Sequence, residues 1–399
     1  MTKLLDLKNN SVIAINQNNY TKEDNYKKVC YLDTDNITNN RINAFLKIDL
    51  TKEKLPSRAK RKCSLNSIIY SSVRPNQRHF GIIKEIPKNF LVSTAFIVID
   101  IIDLEKLDPN YLYYYITQDK ITHYLQRIAE CGTSSYPSIT PLDFLNIKIK
   151  LYPLETQQKI AHTLSILDQK IENNHKINEL LHKILELLYE QYFVRFDFLD
   201  ENNKPYQTSG GKMKFSKELN RLIPSGWSVR FLNHKIVSTY QPKTISKTLL
   251  NDSYSYSVYG GGGIIGRFTE YNHEQSEFII SCRGQCGISY LTLPKSWITG
   301  NAMVIRPTKS YTSKTYLYHT IKKYKLTNYI TGSVQPQITR QNLSTMPILI
   351  PKRKTLNKWN NISSLLWNLI HNNMQSTQTL TVLRDFLLPL LLKQQVKPK

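Results

Sequence analysis

The sequence predicts an α+β protein with two pseudo-repeated α/β domains, separated by two long helices that pair as an antiparallel coiled coil. Three observations lead to this prediction: a repeat with a period of half the chain, two helical segments with coiled-coil spacing, and a mixed strand-and-helix segment ahead of each helix. The length of 399 residues accommodates about two to three domains of ordinary size.

The repeat is visible in two short segments that each begin with glycine. The segment GTSSYPSIT at 132–140 precedes a strand-like run at 145–154, and the segment GSVQPQIT at 332–339 precedes a similar run at 343–352. Self-similarity at a fixed period indicates duplicated structural units. Three matched pairs keep one offset of 199 positions: Pro137 with Pro336, Ile139 with Ile338, and Thr140 with Thr339.

A long helix is predicted after each strand-like run. In the first, apolar or Asn residues recur in steps of four and three, the period of a coiled coil. Asn174 and Asn373 interrupt the apolar seams and either pair across the two helices, fixing their register, or remain exposed. The seam of the first helix is Ile160, Leu164, Leu167, Ile171, Asn174, Asn178, Leu181, Leu185, Leu188 and Tyr192. The same offset pairs Leu167 with Leu366, Ile171 with Ile370, Asn174 with Asn373, Leu181 with Leu380, Ile184 with Leu383, and Leu188 with Leu387.

The segments ahead of the helices also correspond to one another. YLYYYI at 111–116 and YLYHTI at 316–321 predict equivalent helices, and 86–101 and 293–307 predict equivalent strand pairs. The polar, glycine-containing stretch at 200–213 predicts a linker. The predicted boundaries are therefore a first domain at 1–153, a central helix at 154–196, a linker and second domain at 197–352, and a C-terminal helix at 353–399.

The charge of the chain points to a polyanionic partner. There are 54 Lys and Arg against 30 Asp and Glu, which gives a net charge of +24. An excess of this size favours nucleic acid, although biased codon usage also produces basic chains. No apolar run is long enough to span a membrane and the N-terminus does not resemble a signal peptide. The five scattered cysteines predict free thiols and a reducing cytoplasm.

The strongest basic cluster lies at 51–84, which contains nine Lys or Arg and one Glu. Lys and Arg neutralise phosphates, while Arg favours guanine edges and Asn or Gln favours adenine edges. The alternative is a solvated basic surface. The candidates for phosphate contact are Arg58, Lys60, Arg61 and Lys62, and those for base contact are Arg74, Asn76, Gln77, Arg78 and His79.

Further candidates for DNA binding occur in loops and turns of both halves. Loops flanked by strands suit recognition because the rigid strands hold them in place. In the first half these candidates are Ser134, Ser135 and Tyr136. In the second half they are Gly261, Gly262, Arg267, Arg283, Gln285, Gln335, Gln337 and Arg340.

Motifs for catalysis or cofactor binding are lacking. Gly261, Gly263 and Gly266 match the dinucleotide pattern, but no helix signal follows, so a glycine-rich turn that approaches DNA is favoured. Cys282 and Cys286 have no second pair at zinc spacing. No phosphate-binding loop, hydrolase elbow or zinc-protease motif occurs. The sequence therefore predicts no catalytic residue, cofactor or metal.

Several stretches together resemble the specificity subunits of type I restriction–modification systems, along nearly the whole chain. The most family-specific is IKLYPLETQQKIAHTLSILDQKIE at 149–172. Others in the first half are YLDTDNIT (31–38), PSRAKRK (56–62), IIYSSVRPNQRHFGII (68–83) and VSTAFIVI (92–99). Those in the second half are VYGGGGIIGRFTEYN (258–272), FIISCRGQCG (278–287) and WITGNAMVI (297–305).

The resemblance implies two target-recognition domains that each read one part of a bipartite sequence in double-stranded DNA. It also implies two spacer helices that bind two methyltransferase subunits, which methylate adenine with S-adenosylmethionine. In such systems an ATP-driven restriction subunit can also join through the complex to cleave DNA, and the resemblance leaves open whether one accompanies this chain. None of this catalysis would reside in the chain itself.

Two departures from the family pattern stand out. The second unit opens with IPSGWSVRFLNHKI at 223–236, close to the family's Pro-x-Gly-Trp opening, whereas the first unit lacks it. The second helix has LNKWNNISSLLWN where the first has Gln157 and Gln158, which puts equal binding of two methyltransferase copies in question. Two rival hypotheses are a DNA-modifying enzyme with an unrecognised catalytic site, which would bind S-adenosylmethionine alone, and an RNA-binding coiled-coil scaffold, which would prefer single-stranded RNA.

Overall fold

A computed structural model of the chain describes residues 1–38, 40–131, 136–251, 254–284, 286–332 and 335–397. The chain forms two compact units. Unit 1 comprises Met1–Glu172 and Thr377–Lys399, and unit 2 comprises Asn173–Ser376. Each long helix contributes one part to each unit, so each unit contains a globular α/β region and a pair of helical segments.

The globular region of unit 1 is built from short strands and four helices. Its elements are β1 (Thr2–Lys3), α1 (Leu4–Asn9), β2 (Ile13–Ile15), β3 (Lys28–Leu32), β4 (Ile37–Thr38), β5 (Arg41–Ile42), β6 (Leu46–Asp49), β7 (Ala59–Arg61), β8 (Ile68–Ser71), β9 (Phe80–Ile82), β10 (Phe90–Ser93), β11 (Phe96–Ile101), α2 (Pro109–Ile116), α3 (Asp119–Glu130), α4 (Pro141–Leu145) and β12 (Lys148–Ile149). The first long helix, α5, follows as Leu154–Tyr189 and ends in a π-helical turn at Glu190–Val194.

The globular region of unit 2 follows the same plan. Its elements are β13 (Met213–Ser216), β14 (Arg221–Pro224), β15 (Ser228–Phe231), β16 (Val237–Tyr240), β17 (Tyr256–Gly260), β18 (Gly263–Phe268), β19 (Phe278–Ser281), β20 (Ser289–Leu291), β21 (Trp297–Ile298), β22 (Ala302–Pro307), α6 (Lys314–Lys322), β23 (Ile330–Thr331), β24 (Gln337–Ile338), α7 (Arg340–Leu343) and β25 (Pro347–Ile350). The second long helix is α8 (Arg353–Leu392).

The sheets of the two units have matching topologies. The order β2-β11-β8-β9 in unit 1 corresponds to β16-β22-β19-β20 in unit 2. A second sheet has the order β6-β3-β10-β7 in unit 1 and β18-β17-β21 in unit 2, with a parallel central pair in both. Unit 2 therefore has no described counterpart of the edge strand β7.

Equivalent helix starts are fixed by equivalent capping residues. Thr140 caps α4 by accepting a hydrogen bond from the Asp143 amide, and Thr339 caps α7 by accepting from the Asn342 amide. A capping side chain satisfies a backbone donor that the first helical turn leaves free. The same cap at the same offset explains why the repeated Ile-Thr signal ends a loop and begins a helix in both halves.

Each unit has its own apolar core between sheet and helices. In unit 1, Tyr111, Phe80 and Phe144 are fully buried between the sheet and helices α2 to α4. In unit 2, Trp227, Tyr316 and Trp359 are fully buried, and α5 and α8 both contribute to the same cluster. Burying one such side chain contributes roughly 1.5–3 kcal/mol, so these rings fix how the sheet and helices pack.

The two long helices run antiparallel within each unit. In unit 1 the Tyr152 hydroxyl, which precedes α5, donates to the Leu392 carbonyl at 2.9 Å, while Asp168 pairs with Arg384 at 2.8 Å. In unit 2 the Asn373 side-chain amide donates to Asn178 Oδ1 at 2.9 Å. Asn174 donates to the backbone carbonyl of Asn373 at 3.5 Å, so the two asparagines contact one another across the helices, one of the two alternatives that the sequence left open, although the Asn373 side chain itself pairs with Asn178.

The predicted fold class is confirmed, as are the predicted equivalences between the halves. The two tyrosine-rich segments form α2 and α6, and the predicted strand pairs form β10–β11 and β21–β22. The strand-like run at 145–154 is shorter than its pattern suggests, because only Lys148–Ile149 pairs with another strand, β1. No helix among the described residues is long and apolar enough to cross a membrane.

Candidate nucleic-acid interface

An exposed loop pairs with a second segment in unit 1, and we call the pair paired loop 1 (72–79 with 136–139). Val73 forms a β-bridge with Ser138, the Ile139 amide donates to the Ser72 carbonyl at 2.8 Å, and the Arg74 amide donates to the Pro137 carbonyl at 2.9 Å. These bonds join the end of β8 to the segment that leads into α4. Two predicted candidates, Ser134 and Ser135, lie outside the described residues.

Unit 2 contains the same construction, which we call paired loop 2 (282–284 and 286–287 with 335–338). Arg283 forms a β-bridge with Gln337, and the Ile338 amide donates to the Cys282 carbonyl at 3.1 Å. Ser138 and Gln337, the bridged residues, stand 199 positions apart, as the sequence repeat requires. The predicted candidate Gln285 lies outside the described residues.

Paired loop 1 contains a tight turn with unusual backbone angles. The turn at Pro75–Gln77 is a 3₁₀ helix flanked by Arg74 at φ 47° and Arg78 at φ 55°, both left-handed. The Gln126 side chain of α3 accepts a hydrogen bond from the Asn76 amide at 3.1 Å. Left-handed non-glycine residues cost energy and persist where the surroundings enforce them, often at functional sites. The turn is therefore held in one shape, with Arg74, Asn76 and Gln77 exposed.

Two other predicted residues of this loop, Arg78 and His79, are less exposed than those at its tip. The Arg78 guanidinium lies 2.8 Å from the Asp119 carboxylate at the start of α3. His79 is half-buried, and this burial lowers the pKa of its imidazole. These two side chains support the base of the loop, whereas the three exposed residues lie at its tip.

Two consecutive residues, Thr94 and Ala95, connect the basic cluster of β7 to paired loop 1 by hydrogen bonds. The Arg58 carbonyl accepts a hydrogen bond from the Thr94 amide, and the neighbouring Ala95 carbonyl accepts two from the amide and hydroxyl of Ser72. All three bonds are 2.8 Å long. The structure therefore brings Arg58 to the edge of the loop that carries Arg74.

The four cations of this cluster have different surroundings. Arg58 and Lys60 are exposed. Lys62 lies 2.6 Å from Asp24, and this hydrogen bond lowers the pKa of the Asp24 carboxyl. Arg61 is half-buried, its Nε has no hydrogen-bond partner among the described residues, and burial lowers the pKa of its guanidinium. Only the first two are placed to reach a ligand without rearrangement.

The glycine-rich segment of unit 2 forms the turn between β17 and β18, as the sequence suggests, and lies against paired loop 2. A Cβ on Gly261 would stand 3.0 Å from the Arg283 carbonyl, so a side chain at this position would crowd the backbone of paired loop 2. Gly262 is exposed beside it. Arg283, Gln335, Gln337 and Arg340 are also exposed, so the structure gathers predicted candidates around one loop. Arg267 lies apart from them, because its guanidinium donates to the carbonyls of Tyr254 and Ser255.

In unit 1 the strand β7 pairs with the outer edge of β10. In unit 2 the equivalent edge belongs to β21, and a side chain forms hydrogen bonds with it instead of a strand. The Asn272 amide group donates to the Ile298 carbonyl at 2.9 Å and accepts from the Ile298 amide at 2.8 Å. Asn272 Oδ1 also contacts His273 Nδ1 at 2.5 Å, and His273 Nε2 contacts the Tyr240 hydroxyl at 2.6 Å. Sequence reasoning missed this network, whose members are close only after folding.

Gln241 and Lys243 are two further residues that the sequence analysis did not single out. The Gln241 amide lies 2.8 Å from Cys282 Sγ of paired loop 2, and the side chains of Gln241 and Lys243 are exposed. The signal that could have found them is an amide and a cation close together in the half with fewer basic candidates. Gln241 extends the polar surface around Arg283.

The described residues contain no group of three or more His, Cys, Asp or Glu that could hold a metal ion. Cys282 is fully buried, and burial raises the pKa of its thiol. The segment with the dinucleotide-like glycine pattern leads from strand to strand, without the helix N-terminus that would bind a pyrophosphate.

Two α/β units with equivalent exposed polar loops and antiparallel helices define a duplicated recognition protein. The chain belongs to the family of the type I restriction modification DNA specificity domain, whose model matches residues 6–183 and 224–381. It is thus a specificity subunit, a non-catalytic component of a type I restriction–modification system.

Individual relatives are similar along most of their length. The specificity subunit of the type I restriction enzyme HindI from Haemophilus influenzae is 23% identical over 445 aligned residues, which cover 93% of this chain and 95% of the relative. The specificity subunit of the MjaIX enzyme from Methanocaldococcus jannaschii is 24% identical, covering 73% and 69%. The crystal structure of the type I S subunit from M. genitalium has the same fold, with a TM-score of 0.56, 15% identity, and coverage of 98% of this chain and 95% of that one.

Proposed function

We propose that this specificity subunit reads a bipartite sequence in double-stranded DNA, one part with each unit. The observation that carries the proposal is the repeated construction of paired loops 1 and 2, each exposed and held between a strand end and a capped helix. Rigidly held loops suit base recognition because little ordering entropy is lost on binding. Residues 1–153 and 197–352 then act as target-recognition domains, and 154–196 and 353–399 as spacers.

We assign different roles to the predicted residues according to their surroundings. Arg58 and Lys60 contact phosphates, because they are exposed cations at the edge of paired loop 1. Base edges are contacted by exposed side chains of the loops, namely Arg74, Asn76, Gln77 and Tyr136 in unit 1 and Arg283, Gln335, Gln337 and Arg340 in unit 2. Gly261 and Gly262 allow close approach of the backbone. Support of the fold falls to Arg61, Lys62, Arg78, His79 and Arg267.

Two methyltransferase subunits are the proposed partners of the long helices. Long apolar side chains remain exposed along both helices within the chain itself, which favours a partner that covers them. On α5 these are Ile166, Ile177, Leu180, Ile184 and Leu187, and on α8 they are Ile362, Leu365, Leu369, Val382, Leu383 and Phe386. Restriction subunits join through the complex, and the chain works in the cytoplasm.

The experiment that tests this function is a genome-wide map of methylated adenine in cells that carry the partner methyltransferase. The map is compared with and without this gene and with a Gln337→Ala variant. Loss of one split motif on deletion is the expected result, and relaxation of one half of that motif is expected for the variant. An unchanged map, with an active methyltransferase present, would contradict the proposal.

A further inference from the structure

We propose that Arg74 reads a guanine in the part of the target that unit 1 binds. This inference rests on the proposed function and adds to it the identity of one base. The arginines around paired loop 1 differ in what their side chains contact.

The guanidinium of Arg74 lies over an aromatic ring. Its central carbon is 5.2 Å from the centroid of the Tyr136 ring, and both side chains are exposed. Stacking on a ring face limits the rotation of the guanidinium while leaving its five N–H donors free at the edge. The contact therefore restricts the orientation of an exposed guanidinium.

The backbone beneath Arg74 is fixed from both sides. Its amide donates to the Pro137 carbonyl at 2.9 Å, and its carbonyl accepts from the Gln77 amide at 2.9 Å. Its φ of 47° is left-handed, which a non-glycine residue retains only where neighbouring contacts enforce it. Tyr136 directly precedes Pro137, which accepts one of these bonds. The backbone bonds and the tyrosine ring therefore both restrict the position of the Arg74 side chain.

The neighbouring arginines have other partners. Arg78 lies 2.8 Å from Asp119, so a base would have to compete with that carboxylate for its donors. Arg61 is half-buried, and Arg58 lies on the β7 side of the loop. The described residues show no carboxylate in an ion pair with Arg74, so its fork is available to a ligand.

The chemistry of this fork selects guanine among the four bases. In the major groove guanine offers two acceptors, O6 and N7, at the spacing of two guanidinium N–H groups, whereas adenine offers one acceptor and one donor. A phosphate would also accept both bonds, but a phosphate contact is blind to sequence. The two possibilities therefore predict different methylation patterns.

The decisive experiment uses the full complex with its methyltransferase and maps methylated adenines for the wild type and for Arg74→Lys. Lysine keeps the charge and loses the planar fork. We expect one G·C position, in one half of the motif, to lose about 10- to 100-fold of its discrimination while the other half is unchanged. Arg127→Lys, an exposed arginine of α3 outside the loop, is the matched control and should leave the motif intact.

A second pair of variants tests the stacking. Tyr136→Ala should relax the same G·C position as Arg74→Lys, whereas Tyr136→Phe, which keeps the ring beneath the guanidinium, should leave the selectivity at that one position as in the wild type. The double variant Arg74→Lys with Tyr136→Ala should be no more relaxed at that position than either single variant. Thermal unfolding of each complex is measured alongside, and a retained second half of the motif shows that the variant subunits assemble.

The outcomes separate the inference from the proposed function. A split motif that depends on this gene but keeps every base under Arg74→Lys would overturn the assignment of Arg74 alone. Uniformly weaker methylation at all sites would show a phosphate contact and overturn it too. The absence of any motif that depends on this gene would remove the proposed function itself.

Discussion

The guanidinium of Arg384 on α8 lies 2.8 Å from the carboxylate of Asp168 on α5, within unit 1. The same carboxylate accepts a hydrogen bond from the Tyr114 hydroxyl of α2 at 2.6 Å. Burial alone would lower the pKa of Arg384, but the carboxylates of Asp168 and Asp385 raise it above its ordinary value. One carboxylate thus joins both long helices to the globular region of the unit.

Arg384→Leu should destabilise unit 1 by about 2–3 kcal/mol, because it leaves the carboxylate half-buried without its cation. Adding Asp168→Leu and Tyr114→Phe should recover much of that loss, since an apolar replacement removes the unmet charge. The positions at the same offset in unit 2, Leu185 and Trp367, are already apolar. Thermal unfolding of the single and triple variants measures this, and equal loss in both would contradict it.

Two histidines should make unit 2 sensitive to acid. Burial lowers the pKa of His319 to about 3 and that of His371 to about 4, from 6.5, and neither Nε2 has a hydrogen-bond partner among the described residues. Because folding favours the neutral form, their contribution to stability is complete above pH 6.5 and is lost as the pH falls towards 3. The slope reaches about 1.4 kcal/mol per pH unit for each histidine.

His319→Phe should flatten this acid limb while leaving stability at pH 7.5 nearly unchanged. The ring stacks on Tyr189 with centroids 5.6 Å apart, and phenylalanine keeps that contact without a titrating group. The measurement is urea unfolding between pH 4 and 7.5, with His162→Gln on the exposed side of α5 as the control. An unchanged slope for the phenylalanine variant would show that the acid sensitivity arises elsewhere.

Asn272→Asp should weaken unit 2 more than a surface substitution of this kind usually does. The carboxylate still accepts from the Ile298 amide but cannot donate to the Ile298 carbonyl, which leaves that group without a partner, at a cost of about 1–3 kcal/mol. In a map of methylated adenines, the half of the motif bound by unit 2 should become less selective, while the half bound by unit 1 should stay unchanged. Asn251→Asp, remote from this edge, is the comparison.

Arg58→Gln should lower DNA affinity without altering sequence preference. Removing one phosphate contact makes the slope of log affinity against log salt shallower by about 0.9. Binding of the complex to its target and to a scrambled duplex, titrated over a range of salt, measures the change. Lys52→Gln removes the same charge from an exposed turn outside the loop, and an equal effect there would mean that only net charge matters.

Leu180→Glu combined with Leu187→Glu should prevent one methyltransferase from assembling on α5. The two side chains are 62% and 60% exposed, so the chain itself should fold with an unchanged melting temperature. Burying a charge in an apolar contact is strongly unfavourable, so the loss should appear as a smaller complex in size-exclusion chromatography with light scattering. Lys183→Gln between them is the control, and full assembly of the double variant would place the contact elsewhere.

The duplication was predictable because short sequence motifs that determine local structure recur in both halves. Thr140 and Thr339 keep the same cap, and the tyrosine-rich helices and strand pairs keep the same order, so one offset fixes matching topologies. The long helices were predictable from their four-and-three spacing, whereas that spacing left open whether Asn174 and Asn373 would contact one another, as they do.

The roles of individual cations were not predictable, since ion pairs join residues far apart in sequence. Lys62 pairs with Asp24 and Arg78 with Asp119, and neither acid stands out in the sequence. The missing edge strand had only an indirect signal: the interval between β18 and β19 is shorter than the equivalent interval between β6 and β8, which contains β7. That an asparagine side chain would take its place depends on the folded geometry alone.

The exchange of a strand for a side chain at this sheet edge suggests how such subunits acquire new targets. Unit 1 accommodates a whole basic strand, β7, at an edge that unit 2 closes with Asn272. The parallel central strands and the paired loop are present in both units, so the basic strand adds cations beside the loop without a change in these shared parts. The edge also has to remain closed, because bare strand edges recruit other chains and promote aggregation.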